Sequence, residues 1–403
     1  MLKLKMGMIG GGIGAFIGSV HRKASRLAGG IDLVAGAFDI DPEKSKQMGM
    51  ELGINPERTY GTYEEMVKKE QSLPEEEKLD FVVIVTPNNS HFPIARAFLE
   101  AGFHVLCEKP MTLNVEEAKE LQALVKKTGL IFGLNHNYTG YPMVKLARDM
   151  VRSGELGKIR KIISIYPQDW LSTALEQTGQ MQASWRTDPK QSGAAGCMGD
   201  IGTHAENLAE YITGLKITEL CADLTTFVKG RQLDDDGNVL LKFDNGAKGV
   251  LYASQISIGH ENDLGIWIYG EKKGLEWHQE DPNYLIVKEQ DGPLQTWRRG
   301  TGYVAAKSEA AARATRLPPG HPEAFFEAIA NIYQNFTDTI RAVKTGNAPT
   351  SLMLDFPSVE DGVRGMEFIS TLIKSNKSSE KWTPFASDVT EVVSETKKEA
   401  VLS

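Results

Sequence analysis

Met8-Ile9-Gly10-Gly11-Gly12-Ile13-Gly14-Ala15-Phe16-Ile17-Gly18 follows the short strand candidate Lys5–Ile9 and leads into a helix. Strand, closely spaced glycines and helix form the turn that receives a dinucleotide. Glycines let the backbone bend tightly and approach a pyrophosphate, and the first amides of the helix then face the anion. An ordinary structural turn uses the same residues, so the context has to decide. Asp39 closes the second strand candidate, 25 residues after Gly14. A carboxylate at that point accepts from the ribose hydroxyls of the adenosine half and repels a 2′-phosphate. No Arg or Lys follows it directly, only Ile40 and Asp41. The pattern favours NAD over NADP, with Gly10, Gly12, Ile13, Gly14 and Asp39 as candidate cofactor residues. The competing reading has Asp39 or Asp41 merely capping the helix after Pro42.

Outward from this turn, strand and helix patterns alternate. Ile31–Phe38, Phe81–Val85, Phe103–Cys107 and Leu130–Leu134 read as strands. Phe81–Val85 is apolar throughout, as a strand buried on both faces of a parallel sheet must be. Glu43–Leu52, Thr62–Lys69, His91–Ala101 and Val115–Lys127 carry apolar residues at helical spacing, with Lys69–Lys78 as a charged surface loop. The alternation predicts a doubly wound α/β Rossmann domain over residues 1–134.

The pattern changes near Asn135. Val144–Ser153 reads as helix, Gly157–Tyr166 as strand, and a further helix starts near Asp200 and runs to Ile212. Strand-like runs then follow at Glu219–Phe227, Asn238–Phe243, Gly249–Ser257, Leu264–Tyr269, Leu275–His278 and Tyr284–Lys288. Asp244-Asn245-Gly246 between two of them is a hairpin signal. Helices return at Glu323–Thr345 and Val359–Lys374. Residues 135–386 are therefore expected to form an α+β domain with a large, mostly antiparallel open sheet, whose bare face self-association would cover. Residues 387–403 read as a charged tail.

Composition narrows the function. The chain has 403 residues, 41% hydrophobic and 24% charged, enough for real cores. Its net charge of −8 argues against a nucleic-acid partner. Cys107, Cys197 and Cys221 are odd in number and widely spaced, which predicts neither a disulfide framework nor a zinc site. No apolar run approaches the roughly 20 residues that span a bilayer, and Met1–Met6 alternates apolar and basic residues unlike a signal peptide. The expectation is a cytoplasmic protein without metal or membrane partner.

Two more segments carry chemistry. Glu108-Lys109-Pro110 follows a strand, and Asp200-Ile201-Gly202-Thr203-His204 opens a helix. Asp200 and His204, four apart, share a helical face. Oxidising a ring hydroxyl needs a base near neutrality, which histidine supplies, and a cation for the developing alkoxide, which lysine supplies. A carboxylate beside them orients or balances charge. Taken singly, each has an ordinary reading: a surface lysine, an N-cap, a core histidine.

Together with the glycine loop ending Gly18-Ser19-Val20-His21, with Thr86-Pro87-Asn88-Asn89-Ser90-His91 and with Asp361-Gly362-Val363-Arg364, these motifs make the chain resemble the Gfo/Idh/MocA family, that of glucose–fructose oxidoreductase and inositol 2-dehydrogenase. The resemblance spans roughly residues 5–385. It implies that Lys109 polarises the reacting oxygen, His204 is the general base, and Asp200 orients the substrate or His204. It implies further that Thr86, Pro87, Asn88, His91, Glu108 and Lys109 line the cofactor cleft, and that the chain assembles as a homodimer or homotetramer through its open sheet. Two departures stand out. The glycine loop is longer than the common form, and Asn135-His136-Asn137-Tyr138 replaces an arginine-containing segment.

Between Tyr166 and Lys190 lie Trp170, Gln180, Gln182, Trp185, Arg186 and Asp188, an aromatic and amide-rich stretch suited to a sugar. A surface loop or subunit contact would read the same way. With Lys109, Asp200 and His204, the candidates for substrate contact are Tyr138, Trp185 and Arg186, and His136 is within possible reach. The expected activity is NAD-dependent hydride transfer at a secondary ring hydroxyl of a sugar, glycoside or cyclitol. A redox-neutral NAD-dependent glycosidase and a non-catalytic nucleotide-binding regulator are the alternatives.

Overall fold

The protein is seen in a computed structural model that describes residues 2–385; the expected tail 387–403 lies outside them. Strands β1 (Leu4–Gly10), β2 (Ile31–Ala37), β3 (Phe81–Val85), β4 (His104–Cys107) and β5 (Phe132–Leu134) form one parallel sheet in the order β2-β1-β3-β4-β5. β3 is buried along its whole length, as its apolar sequence requires. Helices α1 (Phe16–Ala28), α2 (Pro42–Glu51), α3 (Tyr63–Ser72), α4 (His91–Glu100) and α5 (Val115–Thr128) connect the strands. α3 takes in residues 69–72, which the charge pattern had assigned to a loop.

After α6 (Pro142–Arg152) the chain builds a nine-stranded sheet. Its strands are β6 (Lys161–Pro167), β7 (Ile217–Thr225), β8 (Asp236–Phe243), β9 (Lys248–Ser254), β10 (Gly265–Tyr269), β11 (Lys273–His278), β12 (Tyr284–Glu289), β13 (Gln295–Arg298) and β14 (Thr383–Pro384). The order is β13-β12-β11-β10-β6-β9-β8-β7-β14, antiparallel except for the central β6–β9 pair. In β8, Val239, Leu241 and Phe243 are buried while Asn238 and Leu240 face out, the period-2 pattern of a sheet covered on one side. Leu240, Val250, Ile163 and Trp267 lie in register across the uncovered side. The sequence pattern had passed over β13 and the short helices Gly302–Lys307 and Glu309–Arg313.

The helix Phe325–Lys344 crosses back to the first sheet. Its Ile329, Ile332, Tyr333, Phe336 and Ile340 are buried with Met6, Met8, Phe81 and Val83. The parallel layer is thus completed by residues far along the chain. No helix of the described residues is long and apolar enough to cross a membrane.

Candidate functional site

At the carboxyl edge of the parallel sheet, Gly10 pairs with Val85 and Ile84 with Cys107. This register sets the glycine loop after β1, Thr86–Ser90 after β3 and Glu108–Pro110 after β4 side by side. Chain order reverses there, and α/β sheets open a ligand crevice at such a point.

The start of α1 differs from those of α2, α3 and α5. α2, α3 and α5 are capped by the side chains of Asp41, Thr62 and Asn114. α1 has no side-chain cap and no acidic residue in its first turn. Its leading amides and the positive end of its dipole are left for an anion. Gly10 and Gly14 have φ of 81° and 80°, in the left-handed region. A Cβ on Gly12 would stand 2.7 Å from the Phe38 carbonyl oxygen and 3.2 Å from an Asp39 carboxylate oxygen. These features fit a dinucleotide whose pyrophosphate meets the loop and whose ribose meets Asp39. Ile13 is exposed on that loop. The cap of α2 is Asp41, so Asp39 remains available for a ribose.

Thr86 and Asn88 have partners of their own. Ser90 Oγ donates to Thr86 Oγ1 at 2.7 Å. Asn88 Nδ2 donates to the Ser192 carbonyl at 3.0 Å, joining the β3 loop, which Pro87 opens, to the loop of the second domain. His91 is buried, with Nδ1 2.8 Å from the Pro110 carbonyl and Nε2 2.9 Å from that of Thr86. It ties two loops together, and burial pushes its pKa down.

Glu108 and Lys109 diverge. Glu108 turns inward, where its carboxylate meets His21 Nε2 at 2.8 Å and Asn135 Nδ2 at 2.6 Å. His21 Nδ1 in turn lies 2.8 Å from Tyr333 Oη on the returning helix. Burial acts to raise the Glu108 pKa, but His21, the Lys109 charge and Asn135 outweigh it and hold the carboxyl at about 2.

Lys109 turns into the cleft. Its Nζ donates to the Asp200 carbonyl at 2.6 Å and to Asp200 Oδ1 at 3.0 Å. An ammonium has three donors, so a third remains for a ligand oxygen. Asp200 Oδ2 accepts from Arg186 Nε at 3.1 Å and Gln255 Nε2 at 2.9 Å. Burial works against the Asp200 anion, yet Lys109 and Arg186 hold its pKa well below the usual carboxylate range. Asp200 sits in a π-helical turn, Met198–Gly202, ahead of the helix Thr203–Thr213 that carries His204. No hydrogen bond joins Asp200 to His204 among the described residues; its carboxylate is bonded to Lys109, Arg186 and Gln255.

His204 is buried among rings. His136 Nδ1 is 3.4 Å from His204 Nδ1, and the two rings meet edge to face. The Tyr138 ring lies 4.8 Å away, also edge-on. Tyr138 and Tyr166 bond through their hydroxyls, and Tyr166 donates to Asn262 at 2.7 Å. The Tyr138 hydroxyl is thus engaged within a wall, and its ring flanks the histidine. Burial, with Lys109 and His136 adding to it, drives the His204 pKa well below 6.5.

The stretch 168–192, read as aperiodic, holds three short helical segments. Arg186 stacks over Trp185 at 4.1 Å and lies 5.8 Å from Trp170 while reaching Asp200. Gln180 and Asp188 cap the short helices, accepting from Ala183 and Lys190. Sequence reasoning did not identify Gln255, and it gave no role to His21 or Asn135. Gln255 lies in no motif, and the motifs that hold His21 and Asn135 do not name their partners, which arrive through tertiary pairing.

Comparison with known proteins agrees with this geometry. Residues 4–136 match the model for an oxidoreductase family with NAD-binding Rossmann fold, and residues 144–276 match the GFO/IDH/MocA C-terminal domain. The oxidoreductase YfiI of Bacillus subtilis (strain 168) is 34% identical over 385 residues, covering 95% of this chain and 97% of the relative. An inositol dehydrogenase homolog from Azotobacter vinelandii, crystallised with NAD+, matches with a TM-score of 0.89 at 33% identity, covering 95% of this chain and 98% of that one. A levoglucosan dehydrogenase of Pseudarthrobacter phenanthrenivorans is 28% identical over 310 residues, covering 71% of this chain and 76% of the relative.

Proposed function

The chain belongs to the Gfo/Idh/MocA oxidoreductase family, and we propose from that premise that it is an NAD-dependent dehydrogenase acting on a secondary ring hydroxyl of a sugar, glycoside or cyclitol. One observation carries the reading: a lysine ammonium anchored twice to a buried aspartate, with a donor to spare, in a cleft shared with a buried imidazole. The names inositol dehydrogenase and levoglucosan dehydrogenase among its relatives support a polyhydroxylated ring as substrate.

When bound, the nicotinamide supplies the hydride acceptor or donor. Gly10, Gly12 and Gly14 with the open end of α1 hold its pyrophosphate, and Asp39 takes the ribose and disfavours a 2′-phosphate. Lys109 donates to the substrate oxygen and stabilises alkoxide character as the proton leaves. His204, kept neutral by its surroundings, receives that proton in oxidation and returns it in reduction. Asp200 holds the ammonium in place and balances its charge together with that of Arg186. Arg186 and Trp185 form the outer wall of the substrate site. A second copy of the chain covers the apolar ridge of Leu240, Val250, Ile163 and Trp267, making a homo-oligomer.

The test is a spectrophotometric screen of the purified protein with NAD against inositols, aldoses and simple glucosides, with released aglycone followed in parallel. Substrate-dependent NADH formation is the expected result. Aglycone release without NADH would replace this reading with a redox-neutral glycosidase, and failure to bind NAD at all would overturn it.

A further inference from the structure

We propose that His136 is a positioning residue for His204: its Nδ1 accepts the Nδ1–H of the catalytic imidazole, so that Nε2 of His204 carries the lone pair offered to the substrate hydroxyl. The inference rests on the dehydrogenase reading above for the task it gives His204.

The geometry is specific. Both rings are nearly inaccessible to solvent, 2% exposed for His136 and 6% for His204. Their Nδ1 atoms are 3.4 Å apart and the rings are perpendicular, at 88°. Two nitrogens facing each other satisfy one another only if one bears a proton and the other does not. A neutral pair therefore has two arrangements. With the proton on His204, its Nε2 is bare and acts as a base. With the proton on His136, His204 is protonated at Nε2 and has no lone pair for the hydroxyl.

The surroundings favour sharing. Lys109 is the cation whose field reaches both rings, Glu108 the anion that partly offsets it at His136, and Tyr138 and Tyr166 pack on His204 as neutral rings. Asp200 is bonded to both Lys109 and Arg186, the further charges of the cluster. Burial and then Lys109 lower the His136 pKa to about 3, so His136 is a neutral acceptor across the working range. A buried imidazole that resists charge accepts a proton more readily when a neighbour holds its other N–H.

The step balances. In oxidation the substrate C–H bond breaks with its electron pair passing as hydride to the nicotinamide, the O–H bond breaks, and the carbonyl forms. The hydroxyl proton bonds to His204 Nε2, and the His204 Nδ1–H stays hydrogen-bonded to the neutral His136 Nδ1, which supports the charge the ring gains. The pair goes from neutral to a single positive charge, and reduction runs the same path backwards.

The first test needs no substrate. Nitrogen-15 histidine NMR of the full-length protein, with His204 assigned by loss of its signal in His204→Gln, reads the tautomer directly. We expect Nδ1–H with bare Nε2 in the resting protein and a mixture in His136→Leu. A resting His204 protonated at Nε2, or a tautomer unchanged in His136→Leu, overturns the proposal. The second test is kinetic. With a substrate found by the NAD screen, His136→Leu should lower kcat roughly 10- to 100-fold with KM nearly unchanged. The pH profile of kcat/KM should change with it, because the group that fixes the His204 Nδ1–H is gone. His136→Gln, whose amide oxygen can accept the same hydrogen, should restore part of the rate and serves if the leucine variant does not fold. Equal rates and profiles in all three proteins would sink the positioning role. Absence of NADH formation by the unaltered protein would sink the functional reading alone, since the tautomer result stands apart from it.

Discussion

Two carboxylates near Lys109, the buried Glu108 and the largely buried Asp200, are held in different ways. Glu108 is bonded by His21 of α1 and Asn135 after β5, and through His21 to Tyr333 of the helix Phe325–Lys344. These partners belong to the parallel layer and are packed into its core. Asp200 is bonded by Lys109 after β4, Gln255 after β9 and Arg186 in the loop 168–192. Its partners come from three segments that otherwise have little in common. The first carboxylate joins elements that the core already holds together. The second assembles the cleft, and two cations share it. The same chemistry of a depressed carboxyl thus predicts loss of stability in one place and loss of turnover in the other.

Lys109→Ala breaks the contrast at its centre. It removes the donor proposed for the alkoxide, so turnover should fall roughly a thousandfold. Asp200 keeps Arg186 and Gln255, so thermal unfolding should move little and NAD affinity should stay nearly constant. Steady-state kinetics beside a titration of NAD binding checks both, and near-normal turnover would remove Lys109 from the chemistry. Glu108→Ala should do the reverse. It strands the His21 ring and the Asn135 amide in a buried site, at a cost of about 3 kcal/mol, read from denaturant midpoints.

The Glu108 contrast also has a pH signature. The carboxyl titrates near 4.5 when free and at about 2 in the fold. Its folded value is depressed, so the stability it contributes is complete above about 4.5 and is lost as the pH falls toward 2. The unaltered protein should lose stability more steeply over that window than Glu108→Gln does. Parallel curves for the two would show that the network does not depend on the charge.

The first half of this contrast was only partly visible in the sequence. Phe81–Val85 announces a two-sided strand because every residue in it is apolar, and the glycine run needs the open helix end that follows. Glu108 drew attention as a neighbour of Lys109, but its bond to His21 depends on α1 folding over the sheet, which no local pattern records. On the other side, the Asp200–His204 spacing does not make the two residues partners. Lys109 reaches Asp200 first, and His204 meets His136. Gln255 ends a strand whose neighbour β6 lies far away in the chain, so only the sheet order reveals it. The helix Phe325–Lys344 is plainly amphipathic, but periodicity does not say which layer it will cover. β13 escaped because Gln295-Thr296-Trp297-Arg298 is a half-exposed strand at the sheet edge with little apolar alternation.

Arg186 sharpens the contrast at a smaller scale. It is the partner of Asp200 that comes from the loop rather than from the edge of a sheet, and its guanidinium is stacked on Trp185. Arg186→Met keeps much of the side-chain volume but gives up the ion pair and the planar stack. The expected outcome is a KM for substrate raised about tenfold with a smaller change in kcat, because Lys109 still anchors Asp200. A fall in kcat with KM unchanged would instead place Arg186 on the reacting oxygen.

A third carboxylate gives the smallest effect and the cleanest reading. Asp39 accepts one backbone N–H, from Asp41 at 3.0 Å, and its other oxygen lies beside Gly12. Among the described residues no ion pair reaches Asp39, so neither the fold nor the lysine depends on it. What it offers is a negative charge and two acceptors at the spot where an adenosine ribose would lie. Asp39→Ala should therefore leave unfolding unchanged, weaken NAD several-fold and improve the relative use of NADP, because the repulsion of a 2′-phosphate disappears while no arginine is added to attract it. The measurement is the ratio of kcat/KM for the two cofactors in the variant and in the unaltered protein. An unchanged ratio would take Asp39 out of the ribose site and leave the turn after β2 without a role in cofactor choice.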